Sequence, residues 1–547
     1  MKPVPTTATV SIDFDRLADH PVSHDRIALF NSGLVTAATY DRDREFFSRT
    51  KPEHLRIDLG WGAEWMPWTR EVVTVDADGS RRFDFTETDE IARFLNEEGV
   101  RPYWAYSYVP EAARPAGADW RTMAPDDAVW VDTIREYVAG ARERGVEIGY
   151  HEVYNEPDLR DERTGEPVFY AGTLDDYLQL YRVTSKAIRE ADPTARIGGP
   201  ALASVNANAD WLRAFLTVVA DESLPLDFLS FHHYGTYGIR PVIETVVGIL
   251  AECPQFAEVE LHLNEYNSFV IDYPRGGLQD GHLLAGAFAA DVELFLATPS
   301  LTRVSWAQFL DSGNDNYSGM VDIEGRAKPL FLAYEFFQRM PVERNLVTVD
   351  GPDGVGAIAS SDGDRRSVLL WNRSSGDLDV TLATSSADAA PRAVILDGRD
   401  DTGEHALAAA RVGNDGISWS VPLARGATAM IRWGADAPAN DGRRRVLRSR
   451  AAISDRSSDA WVDVDERSAT IRFGTASEPA AVLRAGIDLV GAASPVVSSE
   501  VRLADGTPAA GDVTVELSRS GEVQTLWATL SGAPANAFAT VRISLEA

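Results

Sequence analysis

The chain has 547 residues, and at about 150 residues per domain this length predicts two to four domains, with a barrel counting as one large unit. It contains 83 acidic and 52 lysine or arginine residues, and the net charge of −31 argues against nucleic acids and acidic membranes as partners. Cys253 is the single cysteine, which excludes an internal disulfide and a thiolate metal site.

The N-terminal stretch predicts a protein without a signal peptide. Residues 1–13 carry no apolar run of the kind that signal peptides need, so we expect a cytoplasmic, bacterial-type protein. Residues 1–27 are expected to form an N-terminal strand segment that packs on a β-sandwich. The longest apolar helix candidate, Leu283–Thr298, contains Asp291 and Glu293, so we do not expect it to span a membrane.

From residue 28 to residue 340 the sequence alternates β-rich runs with helical stretches, which is the pattern of βα units around a parallel sheet. Eight strand candidates can be counted: Ile27–Leu34, His54–Gly60, Arg101–Ser107, Ile148–Tyr154, Arg196–Gly199, Asp227–Phe231, Val259–Asn264 and Arg303–Phe309. The clearest helix runs from Thr173 to Ala191, with its apolar residues on one face and with Thr173 and Asp176 as candidate caps. Because eight strands close a barrel, we expect an α/β fold built on a (β/α)8 TIM barrel over residues 28–340.

After the predicted barrel the helical pattern disappears. Short alternating strands with turn signals predict a β-sandwich over residues 341–434. Residues 435–450 are expected to form a linker, and residues 451–547 a second small all-β module whose role the sequence does not indicate.

Two glutamates carry the chemistry that the sequence predicts. Glu156 and Glu265 follow the fourth and seventh strand candidates, so each strand delivers a carboxyl group to the rim where barrel active sites are built. Two carboxyls at one rim can divide the roles of acid and nucleophile that glycoside cleavage requires. Asn155 beside Glu156 can bind a sugar hydroxyl. The alternative is that Asn155-Glu156-Pro157 is a helix-starting turn with a solvated glutamate.

Several motifs occur along this region in a characteristic order. They are Phe85-Thr86-Glu87-Thr88-Asp89, Glu152-Val153-Tyr154-Asn155-Glu156-Pro157-Asp158-Leu159, Ile197-Gly198-Gly199-Pro200, Asp227-Phe228-Leu229-Ser230-Phe231-His232-His233-Tyr234, Leu263-Asn264-Glu265-Tyr266, Ser305-Trp306 and Lys328-Pro329. In order and spacing they resemble glycoside hydrolase family 39, the β-xylosidase and α-iduronidase family of retaining barrel glycosidases.

The resemblance implies that Glu156 is the general acid/base and Glu265 the nucleophile. If Arg56 and the Tyr234 hydroxyl both donate to Glu265, it stays ionised, whereas Glu156 with fewer donors keeps a raised pKa. The alternative for Arg56 is a structural role, as an arginine of the barrel interior whose charge is paired with carboxylates. The family's His-any-Tyr pattern selects His232 together with Tyr234.

The remaining candidates concern the sugar pocket. Trp306 is a natural floor for a sugar ring, although a core tryptophan is nearly as compatible with the pattern, and Trp61 can wall the pocket mouth. Asp311 follows the eighth strand where xylosidase-like members carry an acidic pair. Asp58 stands where those members carry histidine; it can accept hydroxyls of a neutral sugar and would repel a uronate, or it can simply pair with a cation.

These residues predict a retaining exo-glycosidase that acts on a neutral pentoside, of the β-xylosidase or α-L-arabinofuranosidase type. The alternatives are an endo-acting glycanase of the same clan and a catalytically silent glycan-binding protein. Nine histidines are scattered without ligand spacing, so we expect no metal and no cofactor. A glycoside is the expected partner, and oligomerisation is left open.

Overall fold

The computed structural model describes most of the first 433 residues and the strands of the C-terminal part. The described residues are 7–63, 71–122, 127–161, 163–235, 238–268, 281–312, 318–323, 325–385, 391–397, 405–407, 409–413, 416–433, 461–464, 468–474, 482–490, 495–503, 507–520, 523–534 and 537–545. The chain divides into two compact units. The barrel unit comprises Ser23–Ile271 and Leu294–Ser312, and the β-rich unit comprises Met1–Val22, Asp272–Glu293 and Gly313–Ala547.

The elements up to the end of the barrel are, in chain order, β1 (Thr7–Leu17), β2 (Ile27–Asn31), α1 (Ala37–Arg42), α2 (Arg44–Thr50), β3 (His54–Asp58), β4 (Val73–Val75), β5 (Arg81–Phe83), α3 (Thr86–Glu97), β6 (Arg101–Tyr106), α4 (Asp127–Ala141), β7 (Tyr150–Val153), α5 (Leu174–Ala191), β8 (Ile197–Leu202), α6 (Ala209–Asp221), β9 (Phe228–Tyr234), α7 (Ile239–Ala251), β10 (Glu260–Asn267), α8 (His282–Leu296) and β11 (Arg303–Ala307). Short 3-10 helices cover His24–Arg26, Glu111–Ala113 and Pro254–Phe256.

Eight parallel strands of the barrel unit close on themselves in the order β10-β11-β2-β3-β6-β7-β8-β9. Each of the eight strand candidates overlaps one of these strands, and the ends differ by a few residues. The predicted (β/α)8 TIM barrel is therefore confirmed. In this fold the carboxyl ends of the strands share one rim, which brings residues far apart in sequence to one place.

Helix α5 illustrates why the helical segments form where the sequence predicts them. Thr173 and Asp176 make a reciprocal capping box: the Asp176 N–H donates to Thr173 Oγ1 at 3.3 Å, and the Thr173 N–H donates to Asp176 Oδ2 at 2.8 Å. Tyr177, Tyr181 and Ile188 lie on the buried face of the helix. The cap and the apolar stripe together fix both the start and the orientation of the helix.

The β-rich unit continues the chain with one helix and many strands. They are α9 (Pro329–Gln338), β12 (Glu343–Asp350), β13 (Val355–Asp362), β14 (Arg365–Asn372), β15 (Leu378–Thr384), β16 (Arg392–Leu396), β17 (His405–Ala406), β18 (Ala409–Gly413), β19 (Gly416–Leu423), β20 (Thr428–Trp433), β21 (Trp461–Val464), β22 (Ser468–Gly474), β23 (Val482–Val490), β24 (Pro495–Leu503), β25 (Asp512–Ser520), β26 (Val523–Ser531) and β27 (Ala537–Leu545).

Nine of these strands and the N-terminal strand β1 form one ten-stranded sheet in the order β17-β16-β20-β14-β13-β12-β1-β15-β19-β18. The N-terminal strand β1 pairs antiparallel with β12 and parallel with β15. Trp419 on β19 and Trp433 on β20 have ring centroids 5.5 Å apart although five strands separate β19 from β20 in the sheet, so the sheet bends over a shared core as a sandwich does.

The C-terminal strands form a four-stranded sheet, β21-β22-β27-β24, and a three-stranded sheet, β23-β26-β25. The predicted fold class, a barrel followed by a sandwich and a second all-β module, is confirmed. The exact domain boundaries stay predictions, and the linker predicted over residues 435–450 lies outside the described residues. None of the described helices combines the length and apolarity that crossing a membrane requires.

Candidate active site

Six of the predicted site residues meet at the carboxyl rim of the barrel. Arg56 lies on β3, Asn155 and Glu156 follow β7, and Glu265 lies on β10. His232 and Tyr234 lie on β9 and complete the cluster. All except the partly buried Tyr234 are almost completely withdrawn from solvent. Their polar groups therefore depend on one another for hydrogen bonds.

Glu265 reaches the interior because of an irregularity in β10. In the pairing of β10 with β9, Leu263 lies opposite Phe231, and Glu265 lies opposite the next residue of β9, His232. Asn264 is therefore an extra residue of β10 with no partner in this ladder. Such a bulge lets two consecutive side chains face the same side of a sheet. Asn264 and Glu265 both point into the barrel, where Asn264 contacts Glu152 and Glu265 contacts Arg56.

Glu156 is held by an unusual backbone conformation just beyond β7. Tyr154 has a φ of 72° and Glu156 a φ of 43°, both in the left-handed region that side chains other than glycine rarely adopt. The Glu156 N–H donates to the Ala201 carbonyl at 3.1 Å. Left-handed residues cost about 1 kcal/mol or more each and tend to occur where function requires a particular side-chain direction.

The Arg56 guanidinium joins three of the strands at the rim. Its Nη1 donates to Glu265 Oε1 at 2.8 Å, and its Nη2 donates to Asn155 Oδ1 at 2.9 Å. Its Nε donates to Glu152 Oε2 at 2.7 Å. Although burial lowers the pKa of Arg56, the charges of Glu152 and Glu265 raise it above its ordinary value. Arg56 is thus a permanent buried cation shared by two carboxylates.

The two rim glutamates have different surroundings. Glu265 accepts from Arg56 and from the Tyr234 hydroxyl, the latter at 2.6 Å. Glu156 has His232 as its contact, with 2.7 Å between Nδ1 and Oε1. Burial lowers the pKa of His232, which disfavours the cationic form of this imidazole. Glu156 therefore lacks the cationic donor that Glu265 has.

Their protonation follows from these contacts. Burial, with the nearby Asp158, raises the pKa of Glu156 to about 8, so this carboxyl holds its proton at neutral pH. Burial also raises the pKa of Glu265, but His232, Arg56 and the Tyr234 hydroxyl act in the opposite direction. The guanidinium and phenol that donate to Glu265 favour its ionised form.

Glu156, Glu265 and His232 stand close enough to be compared with a metal site. One atom from each, a carboxylate oxygen or a ring nitrogen, lies within 4.8 Å of the other two. Both oxygens of Glu265 are already engaged by donors, and the guanidinium of Arg56 lies 2.8 Å from one of them. A metal ion here would face a fixed positive charge, so we assign no metal-ligand role to these residues.

Asp58 lies beside this cluster at the end of β3. Its Oδ1 accepts from the Gly33 N–H at 3.0 Å, and its Oδ2 accepts from the Tyr108 hydroxyl at 3.3 Å. Within the described part of the chain Asp58 forms no ion pair, which disfavours the alternative that it simply pairs with a cation. Burial raises its pKa, while Arg56 lowers it.

Two predicted pocket residues lie elsewhere. The Trp61 indole donates to Thr88 Oγ1 at 3.2 Å, and Trp306 packs edge-on against Tyr266 with centroids 5.4 Å apart. Both tryptophans are fully buried. Tyr266 directly follows Glu265 on β10, so its side chain faces the opposite side of the strand. There it packs on Phe295 of α8, outside the barrel interior. These contacts favour the core alternative for Trp306, and they put Trp61 in the core as well instead of at the pocket mouth. Asp311 is buried in the loop after β11.

Sequence reasoning missed Glu152 as a member of the site. Its Oε1 accepts from Asn264 Nδ2 at 2.5 Å, and the Tyr103 hydroxyl lies 3.5 Å from the same oxygen. A signal was present, because Tyr150 and Glu152 are alternate residues of one buried strand and a buried arginine needs acidic partners. Asn264 could not be found in this way, because its inward direction depends on the bulge.

The chain is similar to several known proteins. Two proteins named β-xylosidase are similar: that of Caldicellulosiruptor saccharolyticus is 31% identical over 182 residues, covering 31% of this chain and 35% of that protein, and that of Geobacillus stearothermophilus is 26% identical over 226 residues, covering 36% and 43%. The matched segments thus span less than half the length of either relative. The crystal structure of the GH39 enzyme from Xanthomonas axonopodis pv. citri has a similar fold, with a TM-score of 0.63 at 18% identity over 79% of this chain and 98% of that one.

The family model described as glycosyl hydrolases family 39 matches residues 50–375. The match includes β3, β7, β9 and β10, which carry the cluster at the rim. Because it covers more than half of the chain, the protein belongs to glycosyl hydrolase family 39.

Proposed function

We propose that the protein is a retaining exo-glycosidase that hydrolyses a neutral pentoside of the β-xyloside type by double displacement. The observation that carries the proposal is the pair of buried carboxyls, Glu156 and Glu265, with one oxygen of each within 4.8 Å of the other. Retaining glycosidases place their two carboxyl groups about 5–5.5 Å apart, whereas inverting enzymes leave about 6.5–9.5 Å for a water molecule. The observed spacing supports the retaining alternative.

In the first step of the proposed reaction, Glu265 attacks the anomeric carbon. A bond forms between a Glu265 carboxylate oxygen and that carbon, while the bond to the leaving oxygen breaks and Glu156 transfers its proton to that oxygen. The pKa of about 8 gives Glu156 the proton that this step needs at neutral pH. The product is a covalent glycosyl-enzyme and a free alcohol.

In the second step Glu156 is ionised and accepts a proton from a water molecule, whose oxygen attacks the anomeric carbon. The bond to Glu265 breaks, its carboxylate is restored, and Glu156 is protonated again. Two displacements at one carbon return its original configuration. Asn155 supports both steps, because its Oδ1 is held by Arg56 at 2.9 Å and its amide group, which also hydrogen-bonds Tyr108, has a second N–H as a donor for a sugar hydroxyl.

The proposed substrate class rests on Asp58 and on the relatives. The two matched relatives are both named β-xylosidase, which favours a β-xyloside over an α-L-arabinofuranoside. Asp58 keeps acceptor capacity beyond its contacts to Gly33 and Tyr108, so it can bind hydroxyls of a neutral sugar. A uronate carboxylate beside it would be repelled.

Replacing each glutamate should give opposite stereochemistry when azide is added. In Glu265→Gly, turnover of an aryl β-xyloside should fall roughly 10⁴-fold or more, and azide entering the vacated space should yield the α-glycosyl azide. In Glu156→Ala, turnover should fall roughly 10²–10⁴-fold, least for activated leaving groups, and azide should attack the covalent intermediate to yield the β-azide. The products are identified by NMR. Glu265→Gly that retains full turnover, or variants that give the same anomer, would refute the assignment.

Activity should be lost as the pH rises through the Glu156 pKa. Because the acid must be protonated in the free enzyme, kcat/KM for an alkyl xyloside should decline with an apparent pKa of about 8. An aryl xyloside whose phenolate leaves without protonation should lack this alkaline limb in both wild type and Glu156→Gln. If Glu156→Gln shows an alkaline limb with this aryl xyloside, the limb belongs to a group other than Glu156.

Asp58→Asn should weaken the preference for neutral sugars. Losing a charged acceptor should lower kcat/KM for an aryl β-xyloside roughly 10–200-fold, while the ratio of xyloside to β-glucuronide activity narrows because the repulsion is removed. Asp43→Asn is the matched control, since Asp43 is equally buried but pairs with Arg42 at the junction of α1 and α2. An unchanged xyloside to glucuronide ratio in Asp58→Asn would contradict the role of Asp58.

A further inference from the structure

Glu152 is the most deeply buried carboxylate next to the two rim glutamates, and neither step of the proposed reaction uses it. It lies on β7 with no exposed surface. Its Oε2 is 2.7 Å from both Nε and Nη2 of Arg56, and its Oε1 is 2.5 Å from Asn264 Nδ2. Both oxygens therefore act as acceptors, as those of an ionised carboxylate do.

These contacts reach Glu265 by two separate routes. Through space, Arg56 links Glu152 to the Glu265 carboxylate, with 2.7 Å on one side and 2.8 Å on the other. Along the chain, Asn264 is the extra residue of the bulge that turns Glu265 inward, and its amide is anchored on Glu152. Glu152 thus holds both Arg56, which binds the Glu265 carboxylate, and Asn264, which belongs to the bulge that turns Glu265 inward.

The charge count changes during the proposed reaction. In the free enzyme Arg56 is shared by Glu152 and Glu265. Once Glu265 is esterified to the sugar it is neutral, and Glu152 is then the carboxylate that stays in direct contact with the Arg56 guanidinium. A buried guanidinium without an anion is strongly unfavourable.

We propose that Glu152 is a positioning residue that acts on Glu265 through Arg56 and Asn264, and that it balances the charge of Arg56 when Glu265 is covalently occupied. The inference rests on the proposed double displacement. Glu152 also competes with Glu265 for Arg56. Glu265 is therefore more basic than it would be if Arg56 paired with Glu265 alone.

The charged and titratable groups that face Glu265 and Glu152 come from several strands. They are Arg56 and Asp58 on β3, Tyr103 on β6, Glu156 after β7, Tyr177 on α5, His232 and Tyr234 on β9, and His262 on β10. Glu152→Gln removes one negative charge from this set and keeps the shape of the side chain. The variant therefore isolates the charge of Glu152.

The test is the pH profile of kcat/KM for an aryl β-xyloside. In Glu152→Gln the acid limb should move to lower pH by about one unit or more, because a like charge near Glu265 is removed, and kcat/KM at the optimum should fall roughly 10–100-fold through looser positioning. Glu152→Asp keeps the charge but shortens the reach, so kcat/KM should fall while the acid limb stays at the wild-type position.

Glu260→Gln is the matched control. Glu260 lies at the start of β10, at the opposite end of the strand from Glu265, where it contacts Arg196 at 2.5 Å, the Tyr150 hydroxyl at 3.0 Å and His262 Nε2 at 3.1 Å. It should leave the acid limb unchanged. Melting temperatures of all variants separate loss of fold from loss of function. If Glu152→Gln does not fold, Asn264→Ala replaces it, and roughly tenfold lower kcat/KM with an unchanged acid limb is expected.

An acid limb in folded Glu152→Gln that coincides with wild type and Glu260→Gln would overturn the inference, as would an equal shift in Glu152→Asp or wild-type kcat/KM in Asn264→Ala. The two failures can be distinguished: wild-type protein that hydrolyses no aryl glycoside would overturn the proposed function and, with it, the inference. Active wild type with an unshifted Glu152→Gln would overturn the role of Glu152 alone.

Discussion

The burial of Arg56 is the constraint on which the site depends. A guanidinium with no exposed surface must find fixed partners, and here it finds Glu152, Asn155 and Glu265, which come from two other barrel strands and the loop after β7. Leaving one of these charges unpaired would cost about 3–5 kcal/mol, so the contacts hold the rim in one arrangement. Barrel closure supplies the positions, and Arg56 makes them interdependent.

The same interaction separates the two glutamates chemically. Glu265 is bound to a permanent cation and a phenol, whereas Glu156 contacts an imidazole whose pKa is lowered by burial. Burial raises the pKa of both carboxyls, and the direct contact with the Arg56 guanidinium favours the ionised form of Glu265. The proposed division into acid and nucleophile therefore rests on which strand carries the arginine.

Much of this site could be predicted from the sequence, because it follows from periodicity and strand ends. Glu156 and Glu265 terminate recognisable strands, and every strand candidate overlaps a barrel strand. Side-chain direction was less predictable. Trp306 occupies the layer behind the strands, with Tyr266, and Asn264 faces inward only because of a bulge that a period of two does not reveal.

The central claim is that Glu265 forms a covalent bond to the sugar, so that the anomeric configuration is inverted twice. Its most direct test is to follow wild-type hydrolysis of an aryl β-xyloside by ¹H NMR before the product mutarotates. The account predicts that β-xylose is formed first and that α-xylose appears only later. Initial formation of α-xylose would mean a single displacement by water and would contradict the role of Glu265 as a nucleophile.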